Sequence, residues 1–443
     1  MDTYRFLCAG GLFLSILSLV ACGGIAPTPA QPTVTLLATD RAPQVIPSDA
    51  LVIRNGMVIV ADGRDPIPDG VVVIKQDRIV AVGPSTDFAL PPGVQVINAH
   101  NGTIMPGIIN AHVHGVASLL VRRNGFLLQG VTSVCDLGSA LKEMPDFKQN
   151  FFSNAPVARG FRAGPLITVH SGYPGVLWGS NLNYEVKNPD EARAAVADLT
   201  ARGADMIKIA LEPGSAQHSW PTLDRAEVKA IVDEAHKHDL LVRAHLQKTA
   251  LLDLALDAGV DVIEHVPGPP LSQSEIQRLL TEGSHFTVTL AYETDLARIV
   301  SHNVVLVPTL DASTRWCESS TFTDRQRHVC YDFFIEPVRR FHSLGGVIAL
   351  GTDYNSADPA AQPGMPLREM KLLIAAGLTP LDVIEAGTRN AAYVCGHGAE
   401  LGTLQPGKLA DVILMSQNPL NDIEAMQHIS AVIMNGHIVY KDK

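Results

Sequence analysis

The sequence predicts an α/β protein, a (β/α)8 TIM barrel with a small β-sandwich domain built jointly by the two chain ends. Short apolar strand-like runs alternate with amphipathic helical stretches through the middle of the chain, which is the signature of a parallel sheet. Eight such units over about 295 residues suit a barrel whose usual size is about 250, with some loop insertions. The two ends instead share a β-branched, turn-punctuated rhythm. An open doubly wound sheet is the structural alternative, but no strand candidate is followed by a convincing G-x-G-x-x-G turn.

Composition supports a large core. Of 443 residues, 46% are hydrophobic and 18% charged, which excludes a small disulfide scaffold and wholesale disorder. With 34 Lys and Arg against 45 Asp and Glu, the net charge of -11 argues against a nucleic-acid-binding surface. The expected partner is a small molecule or short peptide, and a homo-oligomer stays open.

In chain order, Arg5 precedes an apolar run over residues 6–20 that is short for a bilayer span but fits the core of an export signal. Leu19-Val20-Ala21-Cys22 resembles the end of a bacterial lipoprotein signal. Residues 1–21 are therefore expected to be removed, with Cys22 lipidated and the protein exported and held on a membrane of the bacterial cell envelope. An uncleaved N-terminal anchor is the alternative. Residues 22–50 are rich in Pro, Ala and Thr and read as a tether. No other run approaches the roughly 18 apolar residues of a transmembrane helix.

Residues 51–105 contain several β-branched runs, with Arg54-Asn55-Gly56 as a hairpin signal. Residues 409–415 and 429–440 show the same chemistry around Asn435-Gly436. Neither end has enough strands for a stable core alone, so 51–105 and 401–443 are expected to form one β-sandwich domain. The barrel then occupies 106–400, with strands ending near His114, Leu137, Val169, Ile209, His245, His265, Leu310 and Asp353. Helices are expected over 189–203, 225–239 and 249–260.

The chemistry sits at those strand ends. His112 and His114 are at i and i+2 of one strand and share a face, which inside a barrel points into the lumen at the catalytic mouth. A His-x-His pair alone is as consistent with a structural role. Lys208, His245, His265 and Asp353 each finish, or nearly finish, a further strand, and nitrogen and carboxylate ligands converging from separate strands suit a hydrolytic divalent metal. Zinc is the first expectation, with manganese or cobalt also compatible.

This set, together with Met105-Pro106-Gly107 before His112 and Leu404-Gln405-Pro406-Gly407-Lys408-Leu409-Ala410-Asp411 near the end, resembles the amidohydrolase superfamily. The runs Gly203-Ala204-Asp205-x-Ile207-Lys208 and Gly259-Val260-Asp261-x-Ile263-Glu264-His265 look most like its imidazolonepropionase and Xaa-Pro dipeptidase branch. The resemblance implies His112, His114 and Asp353 on one ion, His245 and His265 on a second, and a carboxylated Lys208 between them. Two divalent ions need such an anionic bridge to offset their repulsion. A strand-end Lys208 paired with a carboxylate, beside a single ion, is the alternative. Hydrolysis of an amide or peptide C–N bond by activated water follows, with Asp353 moving the proton.

Other assignments are looser. His170 and Tyr173 follow the third strand, where barrel loops supply substrate contacts; His170 can bind a developing oxyanion or serve as an ordinary loop histidine. Arg243 should face the lumen, and Asp261 is its expected partner in the core. Residues 309–334 form a long polar connection that suits a lid. Within it Cys317 and Cys330 can form a disulfide outside the cytoplasm or remain thiols, whereas Cys135 and Cys395 read as buried thiols. A lactonase, esterase or phosphotriesterase could use the same site. Deamination is less favoured because Leu246-Gln247-Lys248 lacks the glutamate that superfamily deaminases place after the fifth strand. A tethered binding protein on a retired barrel is the non-enzyme reading.

Overall fold

The computed structural model describes residues 43–442, apart from 117–119, 145–156, 216–217, 270, 272, 283–285, 357 and 359–361. The expected signal, Cys22 and most of the tether lie outside the described residues. The tether's last residues are more ordered than expected, since Gln44–Val45 pairs with Phe88–Ala89 while Ile46 and Ala50 are buried.

The barrel runs in strict parallel order. Ile108–His114 pairs with Val131–Asp136 on one side and Tyr354–Asn355 on the other. The third position is split: Arg159–Arg162 pairs with the second strand, and Leu166–Val169 with the fourth, Ile207–Ala210. Gly164 in the left-handed region and the following Pro165 break the ladder between the halves. Val242–His245, Val262–Glu264 and Val305–Val307 follow in register, and a bridge from Leu306 to Ile348 closes the circle.

The helices obey local rules. Asn188 caps Pro189–Ala201 through the amides of Asp190 and Glu191, and an Asp224/Glu227 capping box starts Arg225–Lys237. Leu252–Ala258 stops at Gly259, whose left-handed φ of +87° an L side chain would resist. The seventh strand ends at Val307 rather than near Leu310, because Thr309 turns into a left-handed conformation and starts helix Leu310–Thr314.

The two chain ends do share one sheet. Its hydrogen-bonded path is His437–Lys441, Ile429–Met434, Val412–Met415, Thr103–Pro106, Leu51–Val58, Ile67–Lys75 and Arg78–Pro84, with Gln95–Asn98 also on Leu51–Val58. The sheet curls until Arg78 bridges to Leu409, enclosing Ile53, Val72, Ile79, Ile104, Val412 and Ile433. Asn435-Gly436 makes the expected hairpin turn, both residues at positive φ. Asn55-Gly56 does not: Leu51–Val58 runs straight through it, and the positive φ of Asn55 marks a bulge where the register shifts.

Residues 309–334, the long polar connection expected to suit a lid, are largely helical. They form helix Leu310–Thr314, a 3-10 turn Arg315–Glu318 and the start of helix Asp324–Ser343. Cys317 and Cys330 are joined across this segment. Cys135 and Cys395, expected as thiols, are also joined, which fastens the second strand to the segment after helix Ala391–Val394. Their burial hid the pairing, since an apolar context reads equally well as a packed thiol. No helix among the described residues is long and apolar enough to cross a membrane.

Peptide mapping of unreduced protein is expected to recover both crosslinks, and quantitative alkylation at all four positions would refute them. Replacing Cys317 and Cys330 by Ser should lower stability by up to roughly 3 kcal/mol, the chain-entropy value for a loop of this size.

Candidate metal centre

Three donor atoms converge at the barrel mouth. His112 Nε2 and His114 Nε2 are 3.2 Å apart, and Asp353 Oδ1 lies 3.1 Å from the second and 3.5 Å from the first. Two ligands held about 2.1 Å from one tetrahedral ion are about 3.4 Å apart, so these separations suit a shared cation. His265 also brings a ligand atom within 4.8 Å of His112 and Asp353. Its ring lies 4.4 Å from that of His245. Lys208 is 1% exposed, and its Nζ has no hydrogen-bond partner among the described residues. His112, His114, His265 and Asp353 thus gather at one mouth with His245 against His265, and buried Lys208 lies within electrostatic reach of His112 and Asp353.

Backbone strain aims some of them. His265, Thr309 and Asp353 take positive φ values of 70°, 49° and 54° at the ends of the sixth, seventh and eighth strands. Such conformations cost about 1 to 3 kcal/mol each and persist only where their surroundings impose them. At His265 the effect is to break strand alternation. Glu264 and His265 are consecutive, yet Glu264 reaches His112 while the His265 ring also lies 5.2 Å from it.

Electrostatics favour cation binding. Burial lowers His112 to a pKa of about 4, helped by the Lys208 charge, so its imidazole is neutral at ordinary pH. Burial likewise lowers His245 and His265. It would raise the Asp353 carboxyl, but His112, His114 and His265 outweigh it and hold the group far below the usual carboxylate range. Lys208 is pushed down by burial to about 8, against the pull of Glu264. Lys208 Nζ and His245 Nε2, buried and without a hydrogen bond among the described residues, lie beside an ionised carboxylate and fit a site for divalent cations.

Glu264, the neighbour of His265 that the sequence gives no role, is central to the site. Its Oε2 accepts from His112 Nδ1 at 2.6 Å, which fixes the tautomer that leaves Nε2 free for a metal. Its Oε1 accepts from Arg243 Nε at 2.6 Å. Arg243 therefore pairs with Glu264 and not with Asp261, because Asp261 is taken up by the Val242 amide at 2.7 Å and His236 at 2.9 Å. Arg243 also donates to the carbonyls of Ala111 at 2.8 Å and Val394 at 3.1 Å. Further support comes from Thr309, whose hydroxyl meets His265 Nδ1 at 2.8 Å. The Glu369 carboxylate in turn accepts from the amides of Leu310 and Asp311, fixing the chain just beyond Thr309.

His170 is not at the centre. Its side chain is 80% exposed and pairs at 2.9 Å with Glu185, which lies on Asn183–Val186, an extra strand beside Leu166–Val169. The positive φ of Ser171 turns the following chain. Tyr173 does arrive: its ring lies 4.4 Å from His245 and 5.9 Å from Trp220. Burial, then the charges of Asp353 and Glu212, raise its phenol, which stays protonated. On the Asp353 side a cavity of about 260 Å³ is bordered by Asn110, Asp311, Arg315 and Arg368.

A barrel carrying this constellation defines a metal-dependent hydrolase. Residues 103–439 match the profile of the Amidohydrolase family, and the chain belongs to that family. It is 26% identical to ochratoxinase of Aspergillus niger over 91% of this chain and 89% of the relative. It is 24% identical to imidazolonepropionase of Symbiobacterium thermophilum, over 84% and 91%. Among solved structures, a putative prolidase from Bifidobacterium longum superposes with a TM-score of 0.69 at 27% identity, covering 89% of this chain and 95% of the other.

Glu264→Gln should lower stability by about 3 to 5 kcal/mol, because Arg243 is left as an uncompensated buried charge. Metal affinity should fall by roughly 10- to 100-fold as His112 loses its anionic partner. Urea denaturation and metal titration of the variant measure the two effects separately.

Proposed function

We propose that the protein hydrolyses a small amide or dipeptide at a centre of two divalent ions bridged by carboxylated Lys208. The carrying observation is the convergence of His112, His114 and Asp353, at 3.1 to 3.5 Å, beside a buried Lys208 whose Nζ makes no hydrogen bond among the described residues. His112, His114 and Asp353 would hold one ion and His245 and His265 the other. Zinc suits these nitrogen and oxygen donors, as do manganese and cobalt. Bound there, such ions would activate a water near neutral pH and polarise the scissile carbonyl.

The chain's own groups do the rest. Asp353 is ionised and can accept the proton of the attacking water, then return it to the leaving nitrogen. Tyr173 keeps its proton and can donate to the carbonyl oxygen. Its ring and that of Trp220 give an apolar or aromatic substrate group a surface beside His245. The cavity by Asp353 takes the polar half. Relatives named ochratoxinase, imidazolonepropionase and putative prolidase support an amide or peptide bond as the target.

A panel of dipeptides, N-acyl amino acids, lactones and phosphotriesters tests the reading. Amide or peptide turnover should dominate, vanish on chelation and return with zinc; turnover confined to lactones or phosphotriesters would overturn it. Asp353→Asn should cost about 10²- to 10⁴-fold in kcat.

Lys208→Ala should lose one ion and most activity, with partial rescue by a short carboxylic acid, while Lys208→Arg should not be rescued because guanidinium stays cationic. Two ions and full activity in the Ala variant would show Lys208 to be a strand-end cation and overturn its role as the bridge.

We also propose that the protein is exported and anchored in the cell envelope through lipidated Cys22, on the strength of Leu19-Val20-Ala21-Cys22 after the apolar run. Cys22→Ala should yield soluble protein or an unprocessed precursor on fractionation and intact-mass measurement. Unchanged processing and membrane retention would count against the anchor.

A further inference from the structure

The fourth barrel strand carries a second buried group that the ligand set above does not use. Glu212 lies four residues beyond Lys208, just past the end of Ile207–Ala210, and its side chain is 6% exposed. One oxygen is fully engaged: Oε1 accepts from the Gly214 amide at 2.9 Å and from Lys248 Nζ at 3.1 Å. The turn that returns this amide needs glycine, since Gly214 has a φ of +76° and a Cβ there would meet the His218 carbonyl at 2.1 Å. The carboxylate is thus held in one orientation by the chain itself.

The other oxygen faces His245 alone and makes no hydrogen bond among the described residues. Among the described residues, Glu212 Oε2 and His245 Nε2 are both buried without a hydrogen-bond partner, and they face each other at 3.7 Å. That is too long for a hydrogen bond, yet native proteins rarely leave two buried polar atoms so. It suits two ligands of one cation, which lie about 3.4 Å apart at a tetrahedral angle and farther at a wider one. With His245 neutral and its Nε2 unprotonated, a nitrogen lone pair and a carboxylate oxygen at this separation suit a shared positive ion.

We propose that Glu212 is a direct ligand of the second ion, sharing it with His245. This rests on the two-ion reading above and extends it: the second ion gains a permanent carboxylate in addition to the Lys208 carbamate, and both are needed to hold it. Glu212 is fixed through Gly214 before any ion arrives, which makes this half of the site preorganised.

Glu212→Gln retains the shape and an oxygen acceptor for Gly214 but removes the charge. Zinc-loaded wild type and variant are dialysed against a graded chelator series and their zinc counted by elemental analysis, with no reference to turnover. The variant should keep one ion like wild type and release the other at a chelator concentration at least tenfold lower. Two ions released at unchanged concentrations overturn the Glu212 assignment and leave the two-ion centre standing. A wild type that never holds more than one ion overturns both. Should the variant fail to fold, a crystal structure of zinc-loaded wild type decides: an ion within about 2.2 Å of Glu212 Oε2 supports the assignment, and one seated beyond 3 Å overturns it.

Discussion

The barrel depends on one buried ion pair. Arg243 and Glu264 are both 0% exposed, and taking two charges out of water costs several kcal/mol each. The cost is offset only because their donors and acceptors find partners. Arg243 ties its own fifth strand to the sixth through Glu264, to the first through the Ala111 carbonyl, and to helix Ala391–Val394 through the Val394 carbonyl. Glu264 hands the remaining charge to His112. The pair's main effect is therefore on geometry: it sets the position of three strands and the tautomer of a metal ligand together.

The same logic explains where the accessory sheet sits. Thr103–Pro106 belongs to the sheet and leads directly into the first barrel strand, Ile108–His114. Arg159, at the entry end of the split third strand, is buried in an ion pair with Asp411, which also accepts from the Asn435 amide at the hairpin turn. These links lie at the entry ends of the strands, opposite the ligands. The sheet can thus stabilise the barrel while leaving the mouth accessible.

Much of the site was legible because strand periodicity and strand ends are written in local pattern. His112 and His114 share a face by simple alternation, and Lys208 and His245 fall at the ends of short apolar runs whose boundaries are sharp. Glu264 was hidden by that very alternation, which assigns consecutive residues to opposite faces; only the left-handed turn at His265 lets both serve the lumen. His170 was misplaced because Asn183–Val186, a polar four-residue strand, gives no pattern by which to foresee the sheet edge that Glu185 occupies. Asn55-Gly56 shows the limit of turn chemistry: the same dipeptide that reverses the chain at Asn435 merely bulges it at Asn55, where the neighbouring strands continue on both sides. Cys135 and Cys395 are 260 residues apart, and no local signal connects such positions.

That last bridge changes what a broken backbone means. With Cys135 joined to Cys395, most of the barrel, from the end of its second strand through its eighth, lies within one covalent ring, and Cys317 to Cys330 closes a smaller ring inside it. Exposed loop tips are where proteases cut. A single cut within the large ring opens it but separates no fragment, and both new ends remain attached to the same folded body. An enzyme so built can be nicked by a protease and still migrate, until its disulfides are reduced, as one molecule.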